Sequence, residues 1–309
     1  MTTDLTWLKK QLKKIEETNS SFKEEINKIK ETDPYICNEF HPWTPLKLVF
    51  LNYLLDVCAI VANNNYSKKN YIDVFAGSGL NKIKTKYEDI LIGSPFIALL
   101  NHNTKFTKFF FCEKEKESFK TLEKRINKLN FKNFSLFNLD CNSCLDKILD
   151  EIKKDKFPYN FFFVDPFDLD FSWQSMKKLL NIRSDILLTF MSRASWRAVC
   201  TNEVTGHGYK ALTTFFGDDS WKQAKCERDI LEIYKKNILK ERSDAVFYSV
   251  HINSVKGFAY NLLFITHKTG TGNPWMKPII NAGHEIEKHS DKAVEISLDI
   301  IKKRQNTLF

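Results

Sequence analysis

Four short apolar runs in the middle of this chain each contain or are followed directly by an acidic residue, and the first runs into a pair of glycines. The runs are residues 71–75, 106–112, 134–139 and 161–164; the acids are Asp73, Glu113, Asp140 and Asp165. Between them, apolar residues recur at helical spacing: Phe119, Leu122, Ile126 and Leu129, then Leu145, Ile148, Leu149 and Ile152. Strand and helix in alternation build a parallel sheet with helices on both faces. The run at 161–164 is apolar throughout, as a central strand covered on both faces should be. A fifth run at 185–190 continues the series, and runs at 245–252 and 258–266 close it as a hairpin. The pattern predicts an α/β fold with a doubly wound, mostly parallel sheet of seven strands and an antiparallel C-terminal hairpin. Residues 191–220 read as irregular, with His207 between two glycines as the one histidine worth testing.

The first 66 residues read as a helical extension, and residues 67–309 as the α/β domain. Leu5, Leu8, Leu12, Ile15, Phe22, Ile26 and Ile29 fall on one stripe of a helix over residues 4–30. Such a face needs a cover, either this chain's own domain or a protein partner. Asp33 and Pro34 end that helix, and Thr44 and Pro45 begin a second. The apolar run at 46–62 is interrupted by Lys47, Asn52 and Asp56 and falls short of the about 20 apolar residues that cross a bilayer. The N-terminus lacks an apolar stretch after its charges, so the expectation is a cytoplasmic protein without a membrane partner. Seven Cys without regular spacing argue against a disulfide framework. Cys141 and Cys144 read as reduced thiols on a first helical turn rather than half of a zinc site, and no metal is expected. The oligomeric state is not readable. Lys and Arg exceed Asp and Glu by 47 to 38, which favours a polyanionic partner, RNA or DNA, although the lysines are scattered.

In a doubly wound sheet, ligands sit beyond the carboxyl ends of the strands, where the strand order reverses. The first such end reads Asp73, Val74, Phe75, Ala76, Gly77, Ser78, Gly79. Gly77 and Gly79 let the backbone turn tightly and approach a ligand. Glu113 can accept both hydroxyls of a ribose. Asp140, followed by Cys141, can accept from an adenine amino group. Asp165 stands where a second substrate would enter. Helix capping explains acids at strand ends but leaves the glycines without a task. No run GxxxxGK[ST] is present, so a P-loop is excluded. Glu113 stands 34 residues beyond Gly79, further than the about 20 residues usual for a dinucleotide site. A polar insertion at 83–92, a candidate lid, lengthens that gap before Ser94 and Pro95 open a helix. S-adenosylmethionine fits this spacing better than NAD.

The glycine turn, Glu113 and the tripeptide Asp165, Pro166, Phe167 resemble motifs I, II and IV of class I methyltransferases, a Rossmann-type fold. More specifically, residues 43–47, 71–79, 93–95, 164–170, 215–221 and 260–266 resemble the three-Cys-motif partner protein family. That resemblance implies a methyltransferase-like domain, often of undefined substrate, whose own cysteines need not be functional. Base-amine methyltransferases use a turn similar to Asp165, Pro166 and Phe167. In them the acid and the Pro carbonyl accept the amine N–H bonds while the aromatic ring stacks on the base. This chain lacks the second Pro of that pattern and is closer to the turn of tRNA guanine N2-methyltransferases. The plain alternative is a βα turn with Phe167 packed in the core.

Further along, Arg193, Trp196 and Arg197 could contact phosphate and base, or simply decorate a solvated loop. His41, Trp43 and Lys47 could close over the cofactor, though packing of the second helix is the favoured reading. The sequence therefore points to an S-adenosylmethionine-dependent N-methyltransferase acting on RNA or DNA. Its rival is a catalytically inactive or partner-dependent module of the same fold. A nuclease with a metal among Asp73, Asp140 and Asp165 is a third reading, which leaves the glycines unused.

Overall fold

A computed structural model describes residues 6–40, 44–83, 90–101, 103–205, 207–253 and 259–288. Leu5, His41 and Trp43 lie outside the described residues, as do 84–89 of the insertion. The main sheet has seven strands: β1 (Lys69–Asp73), β2 (Lys108–Cys112), β3 (Phe134–Phe137), β4 (Tyr159–Val164), β5 (Asp185–Phe190), β6 (Ala245–Asn253) and β7 (Ala259–His267). Their spatial order is β3-β2-β1-β4-β5-β7-β6. Pairs from β3 through β5 are parallel, while β7 runs antiparallel to both β5 and β6. This is the doubly wound, class I methyltransferase-like sheet. The hairpin does not merely extend the edge, because its second strand is inserted between β5 and the first.

Alternation within the strands sorts the core into two layers. Tyr71, Phe109, Phe111, Phe161 and Phe163 face the helices Thr44–Asn65, Ser94–Leu99 and Lys116–Lys128. Ile72, Phe110, Phe162, Val164 and Leu188 face Cys141–Ile152, Trp173–Leu180 and Glu227–Glu241. Every residue of β4 and β5 is buried, which explains their continuous apolar character. The chain's many phenylalanines fill these layers, with Tyr71 stacked on Phe161 at 6.2 Å between centroids.

Three expectations change. The N-terminal stripe breaks into two helices, Thr6–Ser21 and Lys23–Glu31, at Phe22 (φ −113°, ψ 31°). Leu8, Ile26 and Ile29 are buried in the same core as the sheet, so this chain covers much of its own stripe. The second helix spans Thr44–Asn65; by length and composition it is apolar enough to cross a membrane, yet Leu46, Phe50, Leu51, Leu54 and Leu55 are fully buried beneath the sheet. Finally, the segment read as irregular holds two helices, Ser192–Thr205 and His207–Phe216. The first hides its stripe behind small residues, Ser192 and Ser195, which carry no apolar periodicity. The side chain of His207 lies outside the described residues.

A second sheet orders Asn38–Phe40, Leu80–Ile83 and Ile90–Ile92, with Leu80–Ile83 in the centre. The flanks of the expected polar insertion are thus strands, and the N-terminal segment pairs in parallel with one of them.

Candidate active site

Strand order reverses about β1, which has β2 on one side and β4 on the other. Beyond their carboxyl ends lies a cavity of about 500 Å³. Phe75, Ala76, Gly77, Glu113, Asp140, Cys141, Asp165, Pro166, Phe167 and Arg197 line it. Ten residues singled out in the sequence, scattered over more than 120 positions, therefore meet in one hollow.

The floor is built by the turn after β1. Gly77 has φ +61°, and a Cβ there would sit 2.0 Å from the Asn38 side chain. Its N–H donates to Glu113 Oε2 at 2.8 Å, while the Glu115 N–H donates to Oε1 at 2.7 Å. Burial raises the Glu113 pKa, and those two backbone donors work against the rise. Each oxygen keeps acceptor capacity, since a carboxylate can accept about four hydrogen bonds. Asp140 is exposed; its Oδ1 accepts the Asn142 N–H at 2.9 Å, so it also caps the Cys141–Ile152 helix. The capping bond thus engages Oδ1 of a residue that also lines the cavity.

Ser78 and Gly79 lie beneath the cavity and do not line it. The Ser78 N–H donates to Asn38 Oδ1 at 3.1 Å, and its carbonyl accepts from Arg125 Nη1 at 2.7 Å. Gly79 has φ +82°, and a Cβ would come within 2.4 Å of the Phe96 ring. Its glycine is required by packing, not by a ligand. Ser94 makes no cap bond, and Gly93 holds the N-cap place of that helix. The Ser94 hydroxyl bonds Asp73 instead.

Asp73 is fully buried, with Oδ1 accepting the Phe75 N–H at 3.1 Å. Burial outweighs the Ser94 and Phe75 bonds and pushes its pKa up to about 7. Unfolded, Asp73 would titrate near 3.8. The folded state therefore holds a proton that the unfolded state releases between about pH 4 and 7. This contribution to stability is fully present below pH 4 and is lost as pH rises to 7. Asp73→Asn should remove that slope: urea midpoints at pH 5 and pH 8 should converge more closely in the variant than in the parent. Equal slopes in both would contradict the buried-acid assignment.

Asp165, at the end of β4, is half-buried and pairs with Lys47, whose ammonium lies 2.5 Å from Oδ2. Lys47 projects from the Thr44–Asn65 helix into the cavity, so the packing reading is corrected. Phe167 is 80% exposed at the cavity wall, which corrects the alternative that it packs in the core. Arg193 and Trp196 are not brought to the cavity. The Arg193 Nε donates to Glu227 Oε2 at 3.2 Å, and Trp196 packs against the second core layer. Sequence reading also passed over Thr189, Tyr260 and Asn38, because nothing local marks a strand residue as facing a cleft. Among the described residues, no three metal-capable side chains form a group. With Asp165 on a lysine and Asp140 on a helix end, the three aspartates do not assemble the nuclease site considered above.

No family model matches the chain, and no curated protein matches it. Solved structures that resemble it include a Legionella pneumophila protein at 13% identity, covering 78% of this chain and 90% of that one, with a TM-score of 0.49. An O-methyltransferase from Bacillus cereus, solved with S-adenosylhomocysteine, is 11% identical over 83% of this chain and 90% of its own, with a TM-score of 0.44. An rRNA methylase from Streptococcus thermophilus is 10% identical over 70% and 94%, with a TM-score of 0.34. The fold assignment rests on strand order and register, not on these distant likenesses.

Proposed function

We propose that this chain is an S-adenosylmethionine-dependent N-methyltransferase acting on a base in RNA or DNA. One observation carries the reading: the Asp165, Pro166, Phe167 turn opens onto the same cavity as the glycine turn and Glu113, with the Phe167 ring bare. The donor set suits the nucleoside. Glu113 would accept from ribose hydroxyls, Asp140 from an adenine amine, and the cavity is large enough for a small ligand. Bound there, S-adenosylmethionine supplies an electrophilic methyl group whose C–S electron pair departs with the thioether.

The chain's own residues would do the rest. Asp165 and the Pro166 carbonyl would accept N–H bonds from the acceptor amine, aiming its lone pair. After transfer, the surplus amine proton would leave to Asp165 and then to water. Phe167 would offer a stacking face, worth roughly 1–3 kcal/mol per base. The net positive charge supports a polyanionic substrate. On the sequence segments given above, we also propose that the chain is related to the three-Cys-motif partner proteins and works in the cytoplasm.

A partner-dependent or inactive module is the second reading, favoured by the Lys47 contact that engages Asp165. Burial of Leu8, Ile26 and Ile29 within the chain weakens the case for a protein docked on the N-terminal stripe. Calorimetry decides: S-adenosylmethionine and S-adenosylhomocysteine should each give a saturable heat with micromolar affinity, about −8 kcal/mol. No heat and no thermal shift at millimolar cofactor would leave the second reading standing.

A further inference from the structure

The cavity has a second end for which the cofactor reading has no use. Lys47 from the Thr44–Asn65 helix, Asp165 after β4, Thr189 on β5 and Tyr260 on β7 converge there. Lys47 and Asp165 are 14% and 21% exposed, so their charges are only partly solvated. Thr189 is 3% exposed, and its hydroxyl is without a hydrogen-bond partner among the described residues. A buried hydroxyl left unsatisfied calls for an explanation, and an absent ligand or water is the usual one.

Resting on the methyltransferase reading, we infer that Lys47 and Asp165 together read the acceptor, as a donor and an acceptor on one planar edge. A group that enters between them must satisfy both, because separating a half-buried ion pair without replacement is costly. A ring amine next to a ring nitrogen or carbonyl does so. Its N–H donates to Asp165 and its neighbour accepts from the Lys47 ammonium. The amino edges of adenine, cytosine and guanine all have this form. A protein ammonium group does not: it brings a second cation beside Lys47 and nothing for Lys47 to donate to. Lys47 is thus a specificity-determining residue that selects a neutral heteroaromatic amine. The exposed Phe167 ring, on the wall of the same cavity, suits the flat face of such a group.

The test measures binding rather than turnover. Single-stranded oligonucleotides, ribo and deoxyribo, carry one adenine, cytosine or guanine in a uridine or thymidine run. Each is paired with an analogue lacking the exocyclic amine: purine, pyrimidin-2-one or hypoxanthine. Fluorescence anisotropy is read with and without S-adenosylhomocysteine. At least one amine-bearing oligomer should bind about tenfold more tightly than its analogue, the discrimination typical of a two-point base contact. Lys47→Met and Asp165→Ala should each shrink that preference to about twofold or less, while Lys47→Arg, which retains the charge, should keep much of it. Their S-adenosylhomocysteine affinity should stay within about threefold of the parent, because neither residue is placed in the cofactor half. A preference that survives both Lys47→Met and Asp165→Ala, or no preference in the parent, overturns the inference. So does competition by a lysine-rich peptide as strong as by the best oligomer. Absence of S-adenosylhomocysteine binding to the parent is a distinct result, and it overturns the cofactor reading and this inference together.

Discussion

Replacing Asp165 by alanine is expected to lower methyl transfer by about a hundredfold or more, the usual scale for a positioned acid–base group. Cofactor affinity should change by no more than about threefold, because the residue touches the acceptor half of the cavity. The loss would combine two effects. The acceptor amine loses the carboxylate that aims it, and Lys47 keeps its charge in a half-buried place without a counterion. Asp165→Asn separates them, since the amide can still accept from Lys47 but holds no charge and takes up no proton. Single-turnover transfer of a labelled methyl group to total RNA and DNA, with calorimetry of the cofactor alongside, reads both quantities. Unchanged turnover in both variants would refute the assignment of Asp165.

The largest stability effect is expected at a residue far less conspicuous in the sequence. Arg125 is completely buried. Its Nε donates to the Thr32 carbonyl at 3.0 Å, Nη1 to Ser78 at 2.7 Å and Nη2 to Asp33 at 3.0 Å. One guanidinium thus ties the end of the Lys23–Glu31 helix to the glycine turn. Burial depresses its pKa, so the charge carries a desolvation cost that the three carbonyls offset. Arg125→Met would keep much of the volume and strand those carbonyls. At roughly 1–3 kcal/mol for each lost partner, a destabilisation on the order of 3 kcal/mol follows. The midpoint of thermal unfolding should drop by several degrees, by about 2–4 °C per kcal/mol at this size. A change below about 1 kcal/mol in urea titrations would show that water replaces the guanidinium at little cost.

These two residues show where sequence reasoning reaches and where it stops. Asp165 was legible because a strand end in a parallel sheet is a fixed address: once strands and helices alternate, the residue after each apolar run faces the cleft. Glu113 and Asp140 followed by the same logic. Phe167 was legible as an aromatic but not as exposed, since one ring after a Pro can turn either way. Lys47 was misjudged because a lysine on an otherwise apolar helix looks like a solvated interruption. Only the three-dimensional placement of that helix beside β4 turns it inward. Gly79 reads as a ligand contact because a glycine pair reads as one unit. In fact Gly77 meets Asn38 at the cavity floor, whereas Gly79 makes room for Phe96. Arg125 sits at a helical position three residues after Leu122, with no signal that its partners are backbone carbonyls about 90 and 47 positions away. The Ser192–Thr205 helix escaped notice for a different reason: small side chains bury well but do not write an apolar period.

The insertion of β7 between β5 and β6 bears on how the protein comes into being. A growing polypeptide can lay down β1 through β5 as they emerge, but the flank of β5 stays open until residues 259–267 are available. Until then Phe190 and Leu188 border an unpaired edge, a surface on which nascent chains aggregate. Tyr260, on that late strand, is also a wall of the cavity. A ribosome-bound intermediate would therefore hold Lys47, Asp165 and Thr189 while the Tyr260 wall of the cavity was still missing.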